Sequence, residues 1–126
     1  MASAEVLAFG PEDLAAVRRL VFAWASELGL GSERTEQLVG AVNELTSNSV
    51  RHGGGRGELR MWSEHDTLLL EVRDRGHISE PLTRRTRPAP GQPAGRGLWL
   101  ADQLSDLLQI RSGPAGSVVR VQMRLA

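Results

Sequence analysis

The chain has no cysteine in its 126 residues. That excludes disulfides, zinc–thiolate centres and cysteine nucleophiles, and it fits a reducing compartment. Lysine is absent too, so all the basic residues are arginine. A Walker-type phosphate loop, which needs a lysine, is therefore excluded. The arginine bias itself reads as a preference for GC-rich codons rather than as chemistry. Neither sign of charge is in excess: 15 basic and 15 acidic residues cancel. This argues against a general binder of nucleic acid or membrane surfaces. No apolar run approaches the ~18 residues that span a bilayer. The first ten residues carry Glu5 and no basic cluster, so no secretory signal is expected there. What remains is a composition of 40% hydrophobic and 24% charged residues, that of a globular domain expected in the cytoplasm. The length predicts a single domain over residues 1–126 that buries roughly two-thirds of its unfolded surface.

The pattern along the chain predicts β, α, α, β, β, loop, α, β, β. Glu5 to Phe9 reads as a short strand broken by Gly10-Pro11. Pro11 to Leu28 reads as a helix, with Pro11, Glu12 and Asp13 suited to its first turn. Leu14, Val17, Val21, Trp24, Ala25 and Leu28 recur at helical spacing, and Gly29 and Gly31 end it. Ser32 is placed as the N-cap of a second helix that stops at Gly53-Gly54-Gly55. Leu38, Val42, Leu45 and Ser49 fall on one side of that helix, extended by Val39 and Val50. Gln37, Ala41, Glu44, Asn48, Arg51 and His52 fall on the other. Glu58–Glu64 and Thr67–Asp74 read as a hairpin turning at His65-Asp66. Leu68-Leu69-Leu70 suits a central strand. Residues 75–95 hold Pro81, Pro88, Pro90 and Pro93 and have no period, as a lid or binding loop would. Leu98 to Leu107 reads as helix. Leu107–Arg111 and Ser117–Leu125 read as a closing hairpin. The expected fold is α+β: a two-layer sandwich of about five mostly antiparallel strands, covered on one face by three helices.

Three segments carry residues suited to chemistry. In Glu44-Leu-Thr-Ser-Asn48, the first and last residues share one helix face. An amide oxygen suits Mg²⁺, and a carboxylate one turn away can deprotonate a hydroxyl. The same residues also suit an ordinary solvated face. Asp74-Arg75-Gly76 ends an apolar strand. Asp74 there could accept a hydrogen bond from an amino group, and Gly76 would admit a ring close to the backbone. Asp and Gly are equally at home in a surface turn. Gly91 to Leu100 is a glycine-rich segment feeding a helix N-terminus, which could present N–H groups to an anion. It is not a Rossmann fingerprint: its glycines follow no strand and the third is missing.

Taken in order, these segments resemble the GHKL ATPases, a group that includes gyrase and the histidine-kinase catalytic domains. Glu44-Leu-Thr-Ser-Asn48-Ser-Val-Arg-His52-Gly resembles the N-box. Asp74-Arg-Gly76 resembles the G1 box, and Gly95-Arg96-Gly97-Leu98 the G2 box that closes an ATP lid at about residues 77–95. The resemblance covers nearly the whole chain. The short N-terminal strand and helix, without a phospho-accepting dimerisation helix, look most like the anti-sigma serine kinases.

The resemblance implies ATP and Mg²⁺ as ligands. It implies Asn48 on the metal, Glu44 as general base, Asp74 on adenine N6 and Gly76 shaping the base pocket. Gly95, Arg96, Gly97 and Leu98 would lie at the phosphates, with Arg51, His52 and an arginine among Arg84, Arg85 and Arg87 as further contacts. The implied partners are a sigma factor and a STAS-type anti-anti-sigma protein carrying an acceptor serine, with no direct contact to nucleic acid or membrane. A homodimer stays open. Two departures matter. Ile78 stands where G1 boxes often have a second glycine, and Trp99 where many G2 boxes have a third. Both add bulk near the nucleotide and weigh towards ATP binding over efficient phosphoryl transfer. The alternative reading is a nucleotide-sensing binding module without catalysis. The plainest alternative is an α/β domain with no nucleotide site.

Overall fold

The computed structural model describes residues 4–76 and 96–125. The elements are β1 (Glu5–Phe9), a 3-10 turn (Pro11–Asp13), α1 (Leu14–Glu27), α2 (Ser32–His52), β2 (Gly57–Glu64), β3 (Thr67–Asp74), α3 (Arg96–Leu104), β4 (Leu107–Gly113) and β5 (Gly116–Arg124). The five strands form one antiparallel sheet in the order β1-β2-β3-β5-β4. The three helices lie on one of its faces.

Alternation fixes which face is covered. Leu59 and Met61 of β2, Leu68, Leu70 and Val72 of β3, and Val119, Val121 and Met123 of β5 are buried under the helices. Phe9 of β1 shares that face, and opposite stand Val17, Val21, Ala25, Leu38, Val42 and Leu45 of α1 and α2 in the same core. Leu69 is also buried although it points to the other face, which is why the leucine run of the central strand shows no clean period.

Local chemistry sets the boundaries. The chain turns at Pro11–Asp13 in a 3-10 turn before α1 begins at Leu14, because the Gly10 backbone N–H donates to Asp13 Oδ2 at 2.8 Å and closes a tight turn. α1 ends in a Schellman arrangement, in which Leu30 N donates to Ala25 O and Gly29 N to Ser26 O, both at 3.1 Å. Leu28, expected in the core, sits at this end and is 38% exposed. The N-cap of α2 is Gly31, not Ser32; Ser32 is the first helical residue and makes no capping bond. Ala41, expected on the polar side of α2, is fully buried. The reason is α3, which packs against that flank: a Cβ on Gly40 would sit 3.2 Å from Leu104 Cδ1. The last helix is one turn shorter than its hydrophobic pattern, because Leu107 opens β4 instead. The β2–β3 turn uses His65 and Asp66 at φ 47° and 62°, the twist a two-residue hairpin needs.

Candidate functional site

The site is built along α2. At its C-terminal end, Ser49 lies on the buried side and its hydroxyl donates to Asp74 Oδ2 at 2.6 Å. The other carboxylate oxygen, Oδ1, accepts the Gly76 backbone N–H at 2.8 Å. The helix stop and the end of β3 are also joined through the backbone, where Arg75 N donates to Gly53 O at 3.3 Å. Asp74, the helix C-terminus and the turn after β3 therefore form one packed unit.

Three glycines make this possible. A Cβ on Gly53 would collide with the Asp74 carboxylate. A Cβ on Gly76 would lie 2.7 Å from both Gly53 Cα and the His52 carbonyl. Gly116, at φ +122°, presses on the backbone of Asp74 and Arg75 from the β4–β5 hairpin. From that hairpin, the buried Ser117 donates its hydroxyl to Gly76 O at 2.7 Å. Its oxygen also lies 3.0 Å from Ser112 Oγ. The Asp74-Arg75-Gly76 turn is thus clamped by α2 on one side and by β5 on the other.

Further up α2 stand Asn48 and Glu44, both half-buried. The first turn of α3 passes over Glu44: a Cβ on Gly97 would be 3.6 Å from the Glu44 carbonyl oxygen and 3.8 Å from Oε2. The N-terminal N–H groups of a helix have no partner within it and attract negative charge. Glu44 and Gly53 are about 13 Å apart along the helix axis at 1.5 Å per residue. α2 thus meets the Asp74 turn at its C-terminal end and the start of α3 near Glu44.

Among the residues picked out by sequence, Asp74 and Gly76 are joined by a hydrogen bond and Gly97 lies over Glu44, with Asn48 one turn further along α2. Leu98 follows Gly97, but its side chain is buried in the core. Arg51 and His52 are exposed, and it is the His52 carbonyl that abuts Gly76. Gly95, Ile78, Arg84, Arg85 and Arg87, with the whole expected lid, lie outside the described residues; of Arg96 only the backbone, at the start of α3, is described. Trp99 lies half-buried in the first turn of α3. Sequence reasoning missed Ser49, Gly53, Gly116 and Ser117. A serine among leucines and valines on the apolar side of α2 was the available signal for Ser49. The glycines read only as helix stop and turn.

The donor set fits a hard cation only with help from a ligand. Among the described residues, no group of three or more His, Cys, Asp and Glu side chains could hold a metal ion. Mg²⁺ is suited to few protein ligands plus phosphate oxygens. Asn48 beside Glu44 supplies oxygen donors of that kind.

A concavity of about 970 Å³ lies on the uncovered face of the sheet and reaches Asp74, Gly116 and Ser117 at the end of β3. Three of its charged groups are engaged with one another. Glu71, 6% exposed, accepts Arg120 Nη2 at 2.7 Å and pairs with Arg73 at 3.5 Å. Arg120 also lies 5.3 Å from the centre of the Trp62 ring, a cation–π contact.

The family profile described as the histidine kinase-like ATPase domain matches residues 7–123. The chain belongs to the histidine kinase-like ATPase domain family. No curated protein matches the sequence closely enough to count as a relative. Among solved structures, the RsbU and RsbW domains of Rv1364c from Mycobacterium tuberculosis superpose with a TM-score of 0.73 at 19% identity, over 98% of this chain and 33% of that one. This histidine kinase-like ATPase domain therefore spans about a third of that protein's chain. The histidine kinase AdeS of Acinetobacter baumannii superposes with a TM-score of 0.62 at 11% identity, over 98% of this chain and 69% of that one. The histidine kinase domain of a blue-light activated kinase from Erythrobacter litoralis gives 0.59 at 20%, over 89% and 61%. At these identities the similarity establishes the shared fold: a five-stranded antiparallel sheet with three helices on one face. Among the described residues, no helix of this ATPase domain is long and apolar enough to cross a membrane.

Proposed function

We propose that this histidine kinase-like ATPase domain binds ATP with Mg²⁺ and acts as an anti-sigma-type regulator. It would phosphorylate a serine on a STAS-type anti-anti-sigma partner, sequester a sigma factor, or do both. The observation that supports the reading is that α2, which carries Glu44 and Asn48, meets the Asp74 turn at its C-terminal end and the first turn of α3 at Glu44. In this reading these segments supply an acid for the base, an amide for the metal, a carboxylate for the hydroxyl and helix N–H groups for phosphate.

In this reading, Asp74 accepts the adenine amino group while Gly53, Gly76 and Gly116 keep the floor of the base pocket free of side chains. Asn48 would hold Mg²⁺, which supplies charge neutralisation at the phosphates. Glu44 takes the proton from the partner's serine hydroxyl as that oxygen bonds to the γ-phosphorus and the bond to the β–γ bridging oxygen breaks, leaving ADP. Phosphoryl transfer depends chiefly on positioning and charge, so these parts suffice. The likeness to a chain containing an RsbW domain supports the anti-sigma direction over a histidine kinase. Incubation with ATP, Mg²⁺ and a STAS-type partner should yield phosphoserine, and Glu44→Ala should abolish it. Absence of transfer to every cognate partner removes the kinase claim.

One observation favours the second reading, a nucleotide-sensing module without catalysis. Trp99 puts a large ring into the first turn of α3, close to the Gly97 that overlies Glu44. In that case ATP binds, Glu44→Gln changes nothing, and no phosphoserine forms.

A further inference from the structure

Three hydroxyls on or beside the helices bond to backbone carbonyls within five residues along the chain: Thr46 to Val42 O at 3.0 Å, Thr35 to Leu30 O at 3.2 Å and Ser105, just past α3, to Ala101 O at 2.8 Å. That is the ordinary fate of a hydroxyl inside a helix. Ser49 does otherwise. It is 1% exposed, and its hydroxyl crosses to another element to reach Asp74 Oδ2 at 2.6 Å. Burying a hydroxyl is costly unless it is used, and alanine would fill this helical position at lower cost. The short distance is that of a charge-assisted bond to a carboxylate.

The carboxylate is thereby held through different oxygens by different elements: Oδ2 by α2 and Oδ1 by the Gly76 N–H. An ionised carboxylate has about four lone-pair sites, so each oxygen keeps one acceptor direction. With both oxygens tied, the carboxylate plane cannot turn, and the directions left for a ligand are set before it arrives. Without Ser49, the Gly76 N–H is the one hydrogen bond left to the carboxylate among the described residues.

We infer that Ser49 is a positioning residue that fixes the carboxylate plane of Asp74 and so sets the preference for a purine with an amino group at C6 over one with a carbonyl there. This rests on the reading of Asp74 as the acid that meets the base. A carboxylate held as an acceptor rewards an N–H donor and repels a carbonyl oxygen. A carboxylate free to rotate does both less well.

The test is calorimetric titration of the chain, with Mg²⁺, against ATP and against inosine triphosphate, which has a carbonyl at C6. The unmodified protein should bind ATP the more tightly. In Ser49→Ala the Kd for ATP should rise about tenfold, while the Kd for inosine triphosphate moves less than about twofold, so that selectivity collapses. General weakening of the fold would lower both affinities together. An unchanged ratio of the two Kd values, whatever their absolute size, overturns the role of Ser49. If Ser49→Ala does not fold, Ser49→Cys keeps the volume, weakens the donor and should give the same loss of ratio; an unchanged ratio there overturns the inference equally. Asp74→Ala, measured alongside, separates the two claims. Intact ATP binding in that variant removes the base-reading role of Asp74, whereas lost binding together with an unchanged ratio in the Ser49 variant removes only the positioning role.

Discussion

At Gly53 the absence of a side chain decides the geometry of a carboxylate two elements away. Any β-carbon there overlaps Asp74, and neither the helix end nor the strand end can retreat, because Arg75 N and Gly53 O already bond. Gly53→Ala should therefore destabilise the fold by about 1–3 kcal/mol, the usual range for overpacking, and should also displace Asp74. Gly116→Ala should cost at least as much. It adds contact with the Asp74 backbone to a left-handed conformation that L-residues adopt at a cost of roughly 1–2 kcal/mol. Gly113→Ala is the control. Nothing lies within 4 Å of its β-carbon, and the change should stay within about 0.5 kcal/mol. Urea unfolding of the three variants measures all three values. Equal cost for Gly53→Ala and Gly113→Ala would mean that Gly53 only ends the helix, as its place in a triple glycine read from sequence. The sequence could not distinguish Gly53 from Gly54 and Gly55, because a glycine that ends a helix and one that admits a carboxylate look alike until the opposing element is placed.

Between elements, an ion-pair clamp joins the start of α2 to the α3–β4 connection and the end of β5. Arg34 Nη2 donates to Asp106 Oδ2 at 2.6 Å and to Arg124 O at 2.9 Å, and Arg124 N donates to the same carboxylate oxygen at 2.7 Å. Burial raises the Asp106 carboxyl pKa. The Arg124 backbone N–H and the Arg34 guanidinium together outweigh that effect and hold it below its ordinary value of 3.8. The folded state thus favours the charged form. Its contribution is complete above the unfolded value and is lost as pH falls through the lower folded one. Asp106→Asn should lower stability at neutral pH by about 1–2 kcal/mol, less than a fully buried pair would give because the group is partly exposed. The difference from the unmodified chain should shrink as acid protonates Asp106, first in the unfolded and then in the folded state, as read from chemical unfolding at pH 7 and near pH 3. A difference independent of pH would mean the carboxylate charge contributes nothing. This clamp was not legible in the sequence, since its partners are 72 and 18 residues apart. The strands and helices were, because Leu59/Met61, Leu68/Leu70/Val72 and Val119/Val121/Met123 alternate and Leu38/Val42/Leu45 recur at helical spacing. The errors came where a third element intervened: α3 buried Ala41, and β4 took Leu107 from the helix. The motif residues proposed for the site stand out as short patterns in order. Their second layer does not, because Ser49 and Ser117 matter only through contacts across the fold.

For the whole molecule, the proposed role requires that nucleotide binding and phosphoryl transfer be separable. The core joins both helices that flank the site to the central strand, so a ligand held between α2, β3 and α3 stabilises the domain as a unit. A ligand at 100 times its Kd that binds only the folded state adds about 2.7 kcal/mol. For a domain of this size that corresponds to roughly 10 °C in Tm. Saturating ATP with Mg²⁺ should raise the melting temperature by that order, and Asp74→Ala should remove the rise. Glu44→Ala should keep it, since the carboxylate assigned to proton transfer is not asked to hold the nucleotide, while transfer to a partner serine disappears. Loss of the thermal shift in Glu44→Ala would make Glu44 part of the binding surface instead. A shift retained by both variants would show that ATP binds somewhere other than the junction of α2, the Asp74 turn and α3.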